Sequence, residues 1–98
     1  MGINNNYCEI CKIFSNPNRL SILISLRDSP RTVTEIVKMT KISQSAVSQH
    51  LSMMRARSIL ESQRKGTFIQ YKIRFPEIMK AFDIMRNITK KIAGESIQ

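Results

Sequence analysis

The chain has 98 residues, with 16 Lys and Arg against 7 Asp and Glu, so its formal net charge is +9. This length predicts one small domain. The sequence has no apolar run near the ~20 residues of a membrane span and no signal-peptide pattern at its start, which predicts a cytoplasmic protein that does not bind membranes. The basic excess favours a polyanionic partner, either nucleic acid or an anionic membrane surface, with plain solubility as the alternative explanation.

The first predicted helix covers about residues 7–15 and carries one apolar stripe. The stripe has the i, i+3, i+4, i+7 spacing of a helix and consists of Tyr7, Ile10, Cys11 and Phe14. Asn16 then suits a helix cap and Pro17 suits the first helical turn. A second helix is therefore predicted from Pro17 to about Arg27.

Two short helices follow in the middle of the chain. Thr32 and Glu35 have the spacing of a capping box, which predicts a third helix that ends near Met39. Ser43 is placed to cap a fourth helix through about Met54, with these residues facing inward: Ala46, Val47, Leu51 and Met54. Two short helices joined by three or four residues are typical of a helix-turn-helix, in which residues 43–54 would be the recognition helix.

Beyond Arg57, the spacing of apolar residues changes from the 3.6-residue period of a helix to the two-residue period of a strand. Residues 59–63 and 68–73 are predicted strands, joined by a turn at Arg64-Lys65-Gly66, in which Gly66 can take a positive φ. A last helix over about residues 76–92 carries an apolar stripe of Ile78, Phe82, Met85, Ile88 and Ile92. The predicted fold is mainly α (α+β): a single winged helix-turn-helix domain over residues 1–98, with about five helices and a two-stranded β-hairpin.

Positive charge is concentrated around the predicted helix-turn-helix and hairpin. Eight basic residues and one acid, Glu61, lie between positions 38 and 74, so this segment carries seven of the nine net charges. The basic residues are Lys38, Lys41, Arg55, Arg57, Arg64, Lys65, Lys72 and Arg74. A membrane-binding protein would instead place its charge on an amphipathic helix with bulky aromatic residues. The distribution therefore favours nucleic acid.

Short polar side chains occupy the outward positions of the predicted recognition helix. Gln can pair with adenine in the major groove, and Ser can contact several bases or a phosphate. Neighbouring cations would contact phosphates and set the register. The predicted DNA-binding residues are Ser43, Gln44, Ser45, Ser48, Gln49, His50, Lys41, Arg55, Arg64, Lys65 and Thr67. His50 has no recognisable metal partner, so a phosphate contact or a local hydrogen bond is expected; an ordinary polar surface helix is the plain alternative.

Three segments, in this order, resemble the ArsR/SmtB-type winged-helix repressors. They are NPNRL at 16–20, followed by Ile22-Leu23; SQSAVSQHL at 43–51; and RKGTF at 64–68, leading to Tyr71. The resemblance runs from Lys12 to about Ile73. It implies a homodimer in which the first and last helices form the interface, and two recognition helices that read a palindromic operator, usually to repress transcription.

The apolar stripes favour a dimer independently, because they exceed what one small core can cover. The predicted interface consists of Tyr7, Ile10, Cys11, Phe14, Ile78, Phe82, Met85 and Ile88. A two-fold axis would place the operator half-sites about one helical turn apart, ~34–36 Å.

Departures from the family's pattern affect the expected sensing mechanism. Many members bind metal through cysteines on the helix before the recognition helix, but residues 32–36 contain none. Others use Asp and His on the last helix, where Asp83 has no histidine companion. Arg57-Ser58 replaces the glycine that usually follows the recognition helix, so either Ser58 takes the left-handed conformation or the turn differs.

Cys8 and Cys11 lie at i, i+3 on the first helix, and three interpretations remain open. Cys11 can be a core residue with Cys8 beside it, since free cysteine packs as a small apolar residue. The pair can form a redox switch with a disulfide. It can also supply two thiolates to a soft metal, although zinc prefers four ligands. No other cofactor is predicted.

A sequence-specific regulator of transcription is the favoured function. The alternative from another class is a winged-helix protein-interaction module that does not read DNA. An enzyme is disfavoured, because the chain has one histidine, no clustered carboxylates and no glycine-rich phosphate loop.

Overall fold

The computed structural model describes residues 5–97, and their side chains as far as Glu95. The ends of the predicted domain, residues 1–4 and 98, lie outside the described residues. Five helices and one hairpin follow in order: α1 (Asn5–Phe14), α2 (Pro17–Ser25), α3 (Val33–Thr40), α4 (Gln44–Ala56), β1 (Leu60–Lys65), β2 (Phe68–Ile73) and α5 (Glu77–Ile97). This is the predicted winged helix-turn-helix order.

Local capping explains where three of the helices begin. The Asn16 side chain accepts a hydrogen bond from the Arg19 N–H at 3.1 Å, and Pro17 follows at the first helical position. Thr32 and Glu35 form both bonds of the capping box, at 3.2 and 2.9 Å. The bond from the Thr32 N–H also lowers the pKa of the Glu35 carboxyl below its ordinary value. Ser43 caps α4 by accepting from the Ala46 N–H at 3.3 Å.

Two predicted helix ends are wrong. The last turn of α2 tightens at Leu26, whose N–H bonds to the carbonyls of Ile22 and Leu23, so the helix ends at Ser25 and not near Arg27. The final helix continues five residues past its predicted end at 92, to Ile97.

The predicted hairpin turn at 64–66 is also wrong, because β1 continues through Lys65. The strands pair antiparallel, with Leu60 opposite Ile73 and Lys65 opposite Phe68. The loop is therefore only Gly66-Thr67. Gly66 has φ +60 as predicted, while Thr67 is not among the residues with positive φ. A glycine at the first loop position followed by a negative φ is the pattern of a type II′ turn.

The core lies between α2, α3, α4 and the base of the hairpin. Its buried apolar residues are Ile13, Ile22, Leu23, Leu26, Ile36, Val47, Leu51, Met54, Ile59, Leu60 and Met79. Three of the four residues predicted to face inward on α4 are fully buried, and the fourth, Ala46, is half-buried. The α4 helix is therefore held by one complete face.

Backbone bonds attach the hairpin to the helix-turn-helix. Arg31, just before α3, exchanges two hydrogen bonds with Tyr71 of β2, at 3.0 and 2.8 Å. The Arg74 N–H donates to the Ile59 carbonyl at 2.9 Å. The wing is thus fixed relative to α3 and to the end of α4. Among the described helices, none combines the length and apolar character that a membrane crossing requires.

Candidate DNA-binding surface

The exposed face of α4 is a stripe of small polar side chains. Gln44, Ser45, Ser48 and Gln49 are exposed, as predicted, and the opposite face is buried. At about 100° per residue, Ser52 lies between Ser48 and Gln49 on the same stripe, and it is also exposed. The prediction omitted Ser52, although its spacing from Ser48 and Gln49 would have identified it.

The turn between α3 and α4 is fixed by a left-handed residue. Lys41 has φ 63 and ψ 16, and its N–H donates to the Val37 carbonyl at 2.9 Å. Lys41 and Ser43 are both exposed beside the first turn of α4. This turn therefore places a cation next to the N-terminal end of the polar stripe.

Ser58 stands after α4, where the family usually has a glycine, and it takes the left-handed conformation with φ 62. Its N–H donates to Arg55 O at 3.0 Å, and the Ile59 N–H donates to Met54 O at 2.9 Å. These two bonds form a complete Schellman motif, and the buried pair Ile59 and Met54 supplies its apolar contact. The helix thus ends as it would with glycine, but a Cβ in this conformation costs about 1–2 kcal/mol.

His50 lies on a different flank of α4 from the polar stripe. It is half-buried and about 140° around the helix from Ser45. Burial, followed by the charge of Arg19 on α2, lowers the pKa of His50 below its ordinary value of 6.5. The side chain is therefore neutral near pH 7, and this position does not favour the predicted phosphate contact.

The basic residues of positions 38–74 divide into two groups. Arg57 binds Glu9 at 2.5 Å, and Lys72 and Arg74 each lie 3.6 Å from Glu61. The other five cations take part in no ion pair among the described side chains: Lys38, Lys41, Arg55, Arg64 and Lys65. All five are exposed. The charge available to an external anion therefore lies beside α4 and near the hairpin tip, not at the hairpin base.

Arg64 and Lys65 are neighbouring strand residues, not turn residues. Successive side chains of a strand point to opposite faces, so these two cations project from opposite sides of the wing. Arg64 lies opposite Ile69, and Lys65 lies opposite Phe68. Thr67 is exposed in the loop, as are both cations. One wing surface therefore presents Arg64, and the other presents Lys65.

An ion pair that the sequence did not predict joins α1 to the end of α4. Arg57 Nε donates to Glu9 Oε2 at 2.5 Å, and Arg57 Nη1 donates to the Met53 carbonyl at 3.4 Å. The bond from Arg57 lowers the pKa of the Glu9 carboxyl below its ordinary value. No local pattern indicates a contact between residues 48 positions apart. The end of the polar helix is thereby attached to the first helix.

Both cysteines are exposed on α1. The interpretation of Cys11 as a core residue is therefore wrong for the single chain, in which Ile13 is the buried residue of α1. No group of three or more His, Cys, Asp or Glu side chains suited to a metal occurs in the part of the chain that the structure describes. A metal at Cys8 and Cys11 would therefore need ligands other than the described His, Cys, Asp and Glu side chains of this chain.

The predicted dimer stripes lie largely on the surface of the single chain. Tyr7, Ile10, Cys11, Met85 and Ile88 are exposed, while Phe14, Ile78 and Phe82 are half-buried. Ile84 and Ile92 of α5 are also exposed. The radius of gyration is 15.0 Å, against about 13 Å for a compact chain of this length. The distal part of α5 therefore extends from the domain with its apolar residues uncovered.

Comparison with known proteins identifies the family. The model of the bacterial regulatory proteins of the arsR family matches residues 16–62. The regulator YgaV of Escherichia coli is 36% identical over 80 residues, which are 81% of each chain. The transcriptional repressor PagR of Bacillus anthracis is 38% identical over 71 residues, which are 71% of each chain. The chain belongs to the arsR family. It is thus a DNA-binding transcription regulator and not an enzyme, which confirms the family and the function class predicted from the sequence.

The fold of this ArsR-family regulator is also found in solved structures. One is Mb0332 from Mycobacterium bovis, determined by NMR and described as a homodimeric winged helix-turn-helix DNA-binding domain. The TM-score is 0.81 at 22% identity, covering 93% of this chain and 84% of that one. At this identity the similarity establishes the fold alone.

Proposed function

We propose that this ArsR-family chain acts in the cytoplasm as a homodimeric repressor that reads a palindromic operator. The α4 helix of each protomer lies in a major groove, and the exposed residues Gln44, Ser45, Ser48, Gln49 and Ser52 contact base edges. The two half-sites then lie about one helical turn apart, ~34–36 Å.

The observation that carries this proposal is the arrangement of charge around α4. The polar stripe itself carries no charge, and the five cations without ion pairs lie beside it and near the hairpin tip. Uncharged side chains can discriminate bases through hydrogen bonds, whereas cations bind every phosphate alike. The surface therefore separates sequence reading from backbone binding, as a sequence-specific regulator requires.

We assign the backbone contacts to the exposed polar residues beside the stripe. These are Lys41 and Ser43 at the start of α4, Arg55 near its end, and Arg64, Lys65 and Thr67 on the wing. Lys38 on α3 joins this set, because the first helix of a helix-turn-helix crosses the DNA backbone. His50 is left out of this set, because it is half-buried on another flank of α4.

The dimer interface is assigned to α1 and to α5. Apolar side chains that one chain leaves exposed are covered when two copies pack together, which provides the main driving force for association. The homodimeric state described for Mb0332 supports this assembly. Cys11 lies within the α1 part of this surface.

A thiol response through Cys8 and Cys11 remains a prediction. The two Cβ atoms of an i, i+3 pair lie about 5–6 Å apart in a regular helix, whereas a disulfide needs about 3.5–4.5 Å. A disulfide within α1 therefore requires the helix to bend, and a soft metal requires ligands beyond this pair.

The experiment is a fluorescence-anisotropy titration of the chain against a duplex from its own promoter and against a shuffled duplex of equal composition. We expect at least a thousandfold preference for the promoter duplex at physiological salt and an affinity that falls steeply with salt. Equal affinities for the two duplexes would contradict a sequence-specific regulator. No binding at low salt would favour the protein-interaction module. Reduced and peroxide-treated samples compared in the same assay test the thiol response.

A further inference from the structure

A cavity of about 370 Å³ lies where the loop between α2 and α3 meets the end of β2 and the first turns of α5. Its apolar lining includes Leu26, Ile73, Pro76 and Met79. Leu26 and Met79 are buried, and Ile73 is half-buried. The volume falls within the ~300–1,000 Å³ range of small-molecule sites. The cavity therefore offers an apolar floor large enough for a small organic ligand.

The rim of this cavity carries charged side chains, three basic (Arg27, Lys72 and Lys80) and two acidic (Asp28 and Asp83). Arg27 Nη2 lies 2.6 Å from Asp83 Oδ1, and Lys72 lies 3.6 Å from Glu61 outside the cavity. Lys80 is exposed and takes part in no ion pair among the described side chains. Among the described side chains of the rim, the ammonium of Lys80 and the carboxylate of Asp28 are thus the two charged groups without an ion pair.

We propose that this cavity binds a small monocarboxylate with an aromatic or branched aliphatic body. The carboxylate binds the Lys80 ammonium, and the body covers the apolar floor. Arg27 contributes a second donor, because a guanidinium has five N–H groups and Asp83 engages one of its nitrogens. A neutral ligand of the same shape would leave the Lys80 ammonium without an anionic partner, so the negative charge is part of the recognition.

A ligand bound in this cavity would affect how α5 is positioned, because the cavity is lined by residues of α5 and of the loop after α2. Met79 and Asp83 lie one turn apart on α5, about 100° around the helix from Ile78 and Phe82 of the apolar stripe. A ligand here therefore contacts the base of α5 without covering the stripe. It also contacts Arg27, whose bond to Asp83 joins the segment just after α2 to α5. In the dimer of the proposed function, a shift of α5 against α2 changes the separation of the two α4 helices; this consequence rests on that function, whereas ligand binding does not.

The test is an NMR titration of the ¹⁵N-labelled full chain, without DNA, using sodium benzoate as the probe and benzyl alcohol as its neutral counterpart. We expect saturable shifts at the amides of Leu26, Ser29, Ile73 and Met79. A nine-atom ligand gives a dissociation constant on the order of 1 mM, and benzyl alcohol binds at least about tenfold more weakly. Shifts that do not saturate, or that concentrate elsewhere, overturn the proposal.

Two variants separate the site from general charge effects. Lys80→Ala is expected to weaken benzoate binding about tenfold. Lys91→Ala, an exposed lysine farther along the same helix, is expected to leave it unchanged. Equal binding of benzyl alcohol, or an unchanged affinity in Lys80→Ala, would overturn the assignment of an anion. Because no DNA is present, the result does not depend on whether the chain reads an operator.

Discussion

The segment from α2 to the hairpin supplies nine of the eleven buried core residues, whereas α1 and α5 supply one each, Ile13 and Met79, and leave most of their apolar side chains partly or fully exposed. The α4 helix packs through three residues that have no exposed surface, Val47, Leu51 and Met54. On α5, burial ends near Met79 and Phe82, and Ile84, Met85, Ile88 and Ile92 are exposed. The packing of α4 is therefore completed within one chain, while the apolar surface of the outer helices is the part that the proposed dimer would cover. The proposed base reading and the proposed dimerisation can consequently be disrupted separately.

The largest effect is expected from a charge placed in the exposed part of α5. Ile88→Glu buries a carboxylate at the proposed dimer interface, which costs about 4 kcal/mol and weakens dimerisation about a thousandfold. The matched control is Ile24→Glu on α2, because Ile24 and Ile88 are 47% and 50% exposed. Sedimentation velocity should show a monomer for Ile88→Glu and a dimer for Ile24→Glu. A dimer in both variants would refute the assignment of the interface to α5.

The second largest effect is expected for the polar stripe on the exposed face of α4. Gln49→Ala is expected to cost about 2 kcal/mol of binding to the operator, because a bidentate contact to a base is lost. Binding to shuffled DNA should not change, since phosphate contacts remain. Anisotropy titrations on both duplexes measure the difference. Equal losses on the two duplexes would show that Gln49 does not read bases.

A smaller effect is expected at the end of α4, where Ser58 holds the left-handed conformation. Ser58→Gly removes the Cβ penalty and should stabilise the chain by about 1 kcal/mol in urea unfolding. Ser52→Gly is the control, because glycine inside a helix is less favourable than serine by about 0.5 kcal/mol. A destabilised Ser58→Gly variant would contradict the conformation assigned to Ser58.

The pH dependence of stability provides a test of the half-buried flank of α4. The pKa of His50 is lower in the folded chain than its ordinary value of 6.5. Below that pH the unfolded chain binds more protons at this residue, so its contribution to stability decreases as pH falls through 6.5 towards the folded pKa. Urea unfolding at about pH 7.5 and about pH 5.5 should show a smaller loss in His50→Gln than in the original chain. An identical loss would place His50 in solvent.

The features predicted from the sequence are those that neighbouring residues determine. Asn16, Thr32 and Ser43 cap their helices through bonds to the N–H three residues later, so local spacing is sufficient. The buried face of α4 followed from the helical period in the same way. Because these patterns are local, the amino-acid sequence alone predicts the order of elements, and the resemblance of three segments to ArsR/SmtB-type repressors predicts the family.

The features that the sequence missed depend on packing or on the exact register of the hairpin. The contact between Arg57 and Glu9 joins residues 48 positions apart. The net charge of a segment does not show that Lys72 and Arg74 both lie near Glu61, because that contact depends on the pairing of the strands. The turn was misplaced because Arg64 and Lys65 are polar, although Gly66 is the residue that fixes where a two-residue loop begins.

The most direct test of the recognition surface compares two lysines of the same hairpin, one without an ion pair and one beside Glu61. Lys65→Ala should lower the slope of log affinity against log salt by about 0.9 per protomer, or about 1.8 for a dimer on its operator. Lys72→Ala should leave the slope unchanged, because Lys72 is held at the hairpin base, 3.6 Å from Glu61. Equal slopes for both variants, or an unchanged slope for Lys65→Ala, would contradict the assignment of phosphate contacts to the unpaired cations.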